Sequence, residues 1–185
     1  MNITLETVAQ ALSFVGLAFI VASYQQKKKS SLILFQLFGC GIFCIHFFMM
    51  GAYTGALLNG IGMIRSMAFY KEERTRRAGT IWTVVLIAMY IAAYILTFTV
   101  FGTPATATNL ILEALPTVGM SVLTISFNMT GAGIIRILGS SHSCSWLIYN
   151  IAHRSIGGAL TEAMSLISII IGIIRYDLKK KEKAQ

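Results

Sequence analysis

The sequence predicts an all-α polytopic membrane protein, with seven transmembrane helices arranged as two parallel three-helix repeats joined by a linker helix, N-terminus outside and C-terminus inside. Three observations lead there. The 185 residues are 56% hydrophobic and 12% charged, whereas an average soluble domain is about a quarter charged. The basic residues stand in short clusters between long apolar runs, the pattern of loops retained on the cytoplasmic side. Sliding the chain by 103 residues lays the first three runs on the last three without a gap.

The runs are residues 8–25, 32–50, 53–70, 79–101, 106–127, 134–152 and 156–175, most of them near the ~20 residues that cross a hydrocarbon core. The first follows "MNITLETVAQ", which has no basic residue, so a cleavable signal peptide is not expected. The second holds Cys40, Cys44 and His46. Three cysteines in the chain do not make a disulfide framework, and Cys40, Cys44 and His46 lack the further convergent ligands a metal wants. Small side chains packed between helices are expected instead, with no metal and no cofactor. The third run has the most polar interruption, with Asn59 and Arg65. The fourth, "IWTVVLIAMYIAAYILTFTVF", carries no charge and has no counterpart at the 103-residue offset. The fifth holds Glu113 and Pro116, the sixth "GSSHSCSW", and the seventh "GALTEAMSLIS" with Glu162.

The divisions that follow are a first three-helix repeat at 1–70, a basic cytoplasmic loop and linker helix at 71–104, a second repeat at 105–176 and a basic cytoplasmic tail at 177–185. Odd-numbered spans running outside to inside place Lys27, Lys28, Lys29, Lys71, Arg74, Arg76, Arg77 and the four tail lysines in the cytoplasm, with Arg154 alone in an outer loop. The net charge of +8 would suggest nucleic acid on a soluble protein. In this distribution it is the positive-inside bias, and no nucleic-acid partner is expected. The partner expected first is the lipid bilayer.

Over 14–64 against 117–167 the offset gives eight identities, among them Gly55-Ala56-Leu57 on Gly158-Ala159-Leu160. One crossing between two triplets gives them the same orientation, as in transporters built from parallel repeats. Ionisable groups inside a bilayer cost at least ~2.5 kcal/mol each at its centre and so mark candidate sites. Glu162 and Glu113 each lie about six or seven residues into their spans, roughly 9 Å deep at 1.5 Å per residue, and Asn59 is at a similar depth. The three are expected to share one layer. Helical spacing aligns His142, Trp146 and Tyr149 on one face of the sixth span, and the offset sets Phe43 and His46 opposite Trp146 and Tyr149. An aromatic wall above polar groups suits a small polar solute. Glu113 and Glu162 are the candidates for proton or ion coupling. Arg65 is expected to snorkel toward the cytoplasmic interface.

"SYQQKKKSSLILFQ", "HFFMMGAYTGALLNGIGMIR", "LPTVG", "WLIYN", "GGALTEA" and "IIRYDL" resemble the bacterial inner membrane YgjV family over nearly the whole chain. That family is similar, more distantly, to the PQ-loop superfamily of SWEET, SemiSWEET and PnuC transporters. The resemblance implies a SWEET- or PnuC-like fold and a location in the bacterial inner, cytoplasmic membrane. In the sugar-transporting relatives an aromatic residue on the second helix and an asparagine on the third bracket the substrate. The matching positions here are Phe43 with Asn59 and Trp146 with Glu162. The proline-glutamine pair of those relatives is replaced by "YQQ", so their proline hinge is not expected. Glu162 in place of a second asparagine argues against a sugar and toward a cationic or proton-coupled ligand.

The expected function is a secondary transporter or facilitator of a small polar solute, working by alternating access between the repeats. The alternative is a non-transporting scaffold, sensor or complex subunit, with homo-oligomer formation compatible with either. An enzyme is not expected and no residue is assigned a catalytic role, because the spans carry no H-E-x-x-H, phosphate loop or G-x-S-x-G.

Overall fold

The computed structural model describes residues 4–70 and 76–178. Lys71, Arg74 and the tail lysines, on which part of the charge bias rests, lie outside the described residues. Seven α-helices are present among those described: α1 Leu5–Tyr24, α2 Lys29–Met49, α3 Tyr53–Phe69, α4 Arg76–Thr99, α5 Ala107–Phe127, α6 Ala132–Ala152 and α7 Ile156–Gly172, the last extended by a π-helical segment, Ile173–Leu178. Each covers one of the apolar runs. Hydroxyl caps set three of the starts: Thr4 accepts from the Thr7 amide, Thr106 from Asn109 and Ser155 from Gly158, each satisfying one of the four donors a helix start leaves free.

Five helices are long and apolar enough to cross a membrane: α1, α2, α4, α5 and α7 with its extension. The other two fall short for different reasons. α3 has 17 residues, among them Asn59 and Arg65, and α6 carries Arg136 and the Ser/His/Cys run. In α3 Asn59 and Arg65 are buried, and in α6 Arg136, Ser143 and Asn150 are buried while Ser141 and Cys144 are exposed. Arg65, Arg136, Ser143 and Asn150 are all at most 1% exposed, while Phe48, Val100, Ile111 and Ile151 are each more than 60% exposed. Polar side chains inside and apolar ones outside is the arrangement for which hydrocarbon is the solvent.

The helices close a ring. α1 packs on α2 and α7, α2 on α3, α3 on α5, α5 on α6 and α6 on α7, while α4 lies outside against α3 and α5. α4 is tied to the ring by Thr54–Thr97 on one side and by Tyr90–Thr124, 3.0 Å, on the other. At the α1–α7 seam a Cβ on Gly157 would overlap Ser13 Oγ, so the Ser13 side chain packs directly on the Gly157 backbone. The Gln25 amide donates to Ser168 at 2.8 Å across the same seam.

Local geometry recurs at the 103-residue interval. The bounds of α2 and α6, and of α3 and α7, match residue for residue. Ser23 Oγ donates to Ile20 O and Ser126 Oγ to Leu123 O, both at 2.6 Å. In the turns before α3 and α7, Ala52 N donates to Phe47 O and Ser155 N to Asn150 O. Gly51 has φ +69° and Arg154, its equivalent, φ +53°. A non-glycine residue there works against a steric cost of about 1–2 kcal/mol, so the turn is held by its surroundings.

Two cations brace the halves together. Arg136 on α6 donates from Nε to Tyr24 O at 3.0 Å and from Nη2 to Gln26 O at 2.6 Å, at the C-terminus of α1. Lys29 at the start of α2 donates to Phe127 O at 2.6 Å and Met129 O at 2.9 Å, at the C-terminus of α5. Those carbonyl pairs are themselves 103 residues apart. A cation at a helix C-terminus meets free carbonyls and the negative end of the helix dipole. Arg136 also forms a two-pronged ion pair with Asp177 at 2.9 and 3.0 Å, which ties in the π-helical segment.

Arg136→Gln strands those carbonyls and Asp177, a loss of about 3 kcal/mol by analogy with broken buried pairs. The thermal midpoint of the purified protein in detergent falls accordingly. Asp177→Asn, at the partly exposed end of the same pair, lowers it less.

Candidate functional site

The ring encloses one cavity of about 40 Å³, to which all six of its helices contribute. A volume of that size has room for a few waters and is far below the ~300 Å³ of a typical small-molecule pocket. Ile20 and Leu123, Phe43 and Trp146, Phe47 and Asn150, and Asn59 and Glu162 line it. Each pair stands at the repeat interval, and the two members come from different halves.

One wall is aromatic. Phe47 lies with its ring centroid 5.6 Å from Trp146 and 5.9 Å from Phe43, and His142 lies 5.9 Å from Trp146. The opposing groups are polar. Asn59 donates its amide to Gly55 O at 2.9 Å in its own helix, which leaves the side-chain oxygen for the cavity. Glu162 is 8% exposed and lies beside Ser143 on α6.

Arg65 is 1% exposed and lines the same cavity. Its neighbours are neutral: Gln36 Oε1 at 3.5 Å, Met120 Sδ at 3.5 Å and the face of Phe127 at 4.6 Å. Among the described residues the ion pairs are Arg136–Asp177 and His153–Glu113, so Arg65 and Glu162 share a cavity without joining. The expected snorkelling is corrected here. The guanidinium is held between helices, on Gln36 of α2 and on Met120 and Phe127 of α5, and does not reach out of the helix packing. Four polar atoms on cavity-lining residues have no protein partner: Arg65 Nε, His142 Nδ1, Trp146 Nε1 and Asn150 Oδ1.

Of the residues singled out from sequence, Phe43, Asn59, His142, Trp146 and Glu162 are brought together. Glu113 is not among the cavity-lining residues, so the shared layer holds for Asn59 and Glu162 alone. Its Oε1 meets His153 Nε2 at 3.0 Å, and its Oε2 is buried without a partner. His46 and Tyr149 hold helices together instead of facing the cavity. His46 Nδ1 donates to Ala9 O at 2.8 Å and its Nε2 accepts from Ser155 Oγ at 2.9 Å, the tautomer following because a carbonyl can only accept. The Tyr149 hydroxyl accepts from the Gly55 amide at 3.1 Å. Gln36, Phe47 and Arg65 were missed as wall residues. Among the described residues no group of three or more His, Cys, Asp or Glu could hold a metal ion.

Residues 7–180 match the family Imp-YgjV, described as a bacterial inner membrane protein. No curated protein and no solved structure matches.

A buried cation without a carboxylate partner contributes little to the fold, and replacing such a group by an apolar one of similar length is often neutral or stabilising. Arg65→Met therefore leaves the melting temperature unchanged or raises it, whereas Arg136→Met lowers it. Parallel thermal melts of the two variants check the contrast.

Proposed function

The chain belongs to the Imp-YgjV family of bacterial inner membrane proteins, and from that premise we propose that it is a secondary carrier or facilitator of a small polar solute, working by alternating access between two like-oriented triplets, α1–α3 and α5–α7. It is a multi-pass protein of that membrane. Repeats of this kind, related by an axis along the membrane normal, place their site where the two meet. The observation that carries the proposal is the central cavity, lined by residue pairs at the repeat interval with Asn59 from one triplet and Glu162 from the other. The recurring helix bounds and the reciprocal bracing by Arg136 and Lys29 support the division into triplets. α4 is then the linker that gives both triplets one orientation, N-terminus outside and C-terminus inside.

In this reading the enclosed cavity is the occluded state, and opening to either face enlarges it. Phe43, Phe47 and Trp146 pack against the solute while Asn59 and Glu162 bind it. Glu113, paired with His153, carries a proton in a cluster apart from the solute. The pairing of Asn59 with Glu162 favours an asymmetric solute over one that presents the same groups to both halves.

The small volume also favours a second reading, a scaffold or subunit whose polar residues serve only as contacts between helices. The two readings part on access. In a Cys40→Ser background, which removes the native thiol from the cavity wall, Glu162→Cys in a carrier reacts with a membrane-impermeant thiol reagent, and in a scaffold it stays inert. Counterflow in proteoliposomes over a broad solute panel is expected to reveal transport that Glu162→Gln slows by about tenfold or more, the loss typical of a charged hydrogen-bond partner.

A further inference from the structure

We propose that the solute is a small zwitterion, with its anionic group seated at Arg65 and its ammonium group at Glu162 and Asn59. This rests on the carrier reading and deepens it. The charge pattern of the cavity is the basis. Arg65 and Glu162 line one enclosed space, are both buried, and form no ion pair with each other or with any other described residue. A guanidinium stays charged wherever it is buried, and ionising a buried carboxylate costs several kcal/mol unless a counter-charge is supplied. A ligand carrying both complementary charges supplies one at each end.

Donor and acceptor positions agree. On the cavity wall, the Arg65 guanidinium Nε and the Trp146 indole Nε1 are donors without partners, and neither group can accept. Gln36 gives its Oε1 to Arg65 at 3.5 Å, so its amide N–H groups remain for a ligand. Three donor side chains around one space fit a carboxylate. Asn59 gives one of its two N–H groups to Gly55 O, and its side-chain oxygen together with the Glu162 carboxylate can receive an ammonium group. A simple cation would meet Arg65 as a like charge, and a simple anion would meet Glu162. The aromatic face of Phe43, Phe47 and Trp146 leaves apolar room for what joins the two charges.

The experiment is a thermal-shift titration of the detergent-purified full chain with alanine and its two truncated analogues, ethylamine, which lacks the carboxylate, and propionate, which lacks the amine. Propane-1,2-diol is the neutral control, and glycine, phenylalanine and glycine betaine widen the zwitterion series. At least one zwitterion is expected to bind about tenfold or more tighter than its truncated analogues, because a site built for two charges rejects a ligand missing one. Arg65→Gln abolishes the responses to that zwitterion and to propionate and spares ethylamine, and Glu162→Gln does the converse. Arg65→Lys, which keeps the charge, retains part of the response and shows that loss in Arg65→Gln is not loss of fold. The proposal is overturned if no zwitterion shifts the midpoint, if the diol does as well as the best zwitterion, or if Arg65→Gln leaves zwitterion binding intact. Counterflow separates it from the carrier reading. Glu162-dependent flux of a neutral or singly charged solute keeps the carrier and removes the zwitterion, whereas zwitterion binding without flux does the reverse.

Discussion

Each half of the molecule ends its first helix on a cation supplied by the other half, and the rest of the ring depends on that exchange. α1 finishes at Tyr24 with carbonyls that hydrocarbon cannot solvate, and Arg136 of α6 reaches across to take two of them. α5 finishes at Phe127, and Lys29 of α2 does the same. Unsatisfied backbone at the edge of a bilayer costs several kcal/mol per group, so neither half closes alone. Once the ends are fixed, the close approach at Gly157 and the Gln25–Ser168 bonds join α1 to α7, and the space left in the middle is the cavity.

The polar residues of the interior sort into two kinds by how completely they are used. His46, Tyr149, Arg136 and Gln25 spend their hydrogen-bonding groups on other helices, which is what structural polar groups inside a membrane do. Arg65, His142, Trp146 and Asn150 retain unpartnered atoms and line the cavity, while Glu113, Ser143 and Ser165 have unpartnered atoms outside its lining. Buried groups are satisfied in nearly all proteins, so four exceptions around one space mark it out from the rest of the packing. Satisfaction separates the two kinds better than polarity does, since Arg65 and Arg136 are equally buried.

The sequence held most of the architecture, because hydrophobic runs bounded by Lys clusters and Gly turns locate helices with little help from packing. The 103-residue offset, faint as eight identities, became matching helix bounds. Asn59 and Glu162, equivalent at that offset, both line the one cavity. Polarity and helical spacing by themselves were weaker guides. His46 and Tyr149 lie on the same helices as Phe43 and Trp146, but whether a polar side chain faces a void or a neighbouring carbonyl depends on rotations of about 100° per residue between helices distant in sequence. Arg65 was misread for a related reason. Its distance along the axis was legible, and its enclosure by Gln36 of α2 and by Met120 and Phe127 of α5 was not.

α4 packs against α3 and α5 and contributes no residue to the cavity lining. The walls of that cavity come from one polypeptide and differ, with Asn59 on α3 and Glu162 on α7. Two copies of one shorter chain would meet there with matching residues, so a lining of unlike groups around a single guanidinium, Arg65, follows from all six helices belonging to one chain.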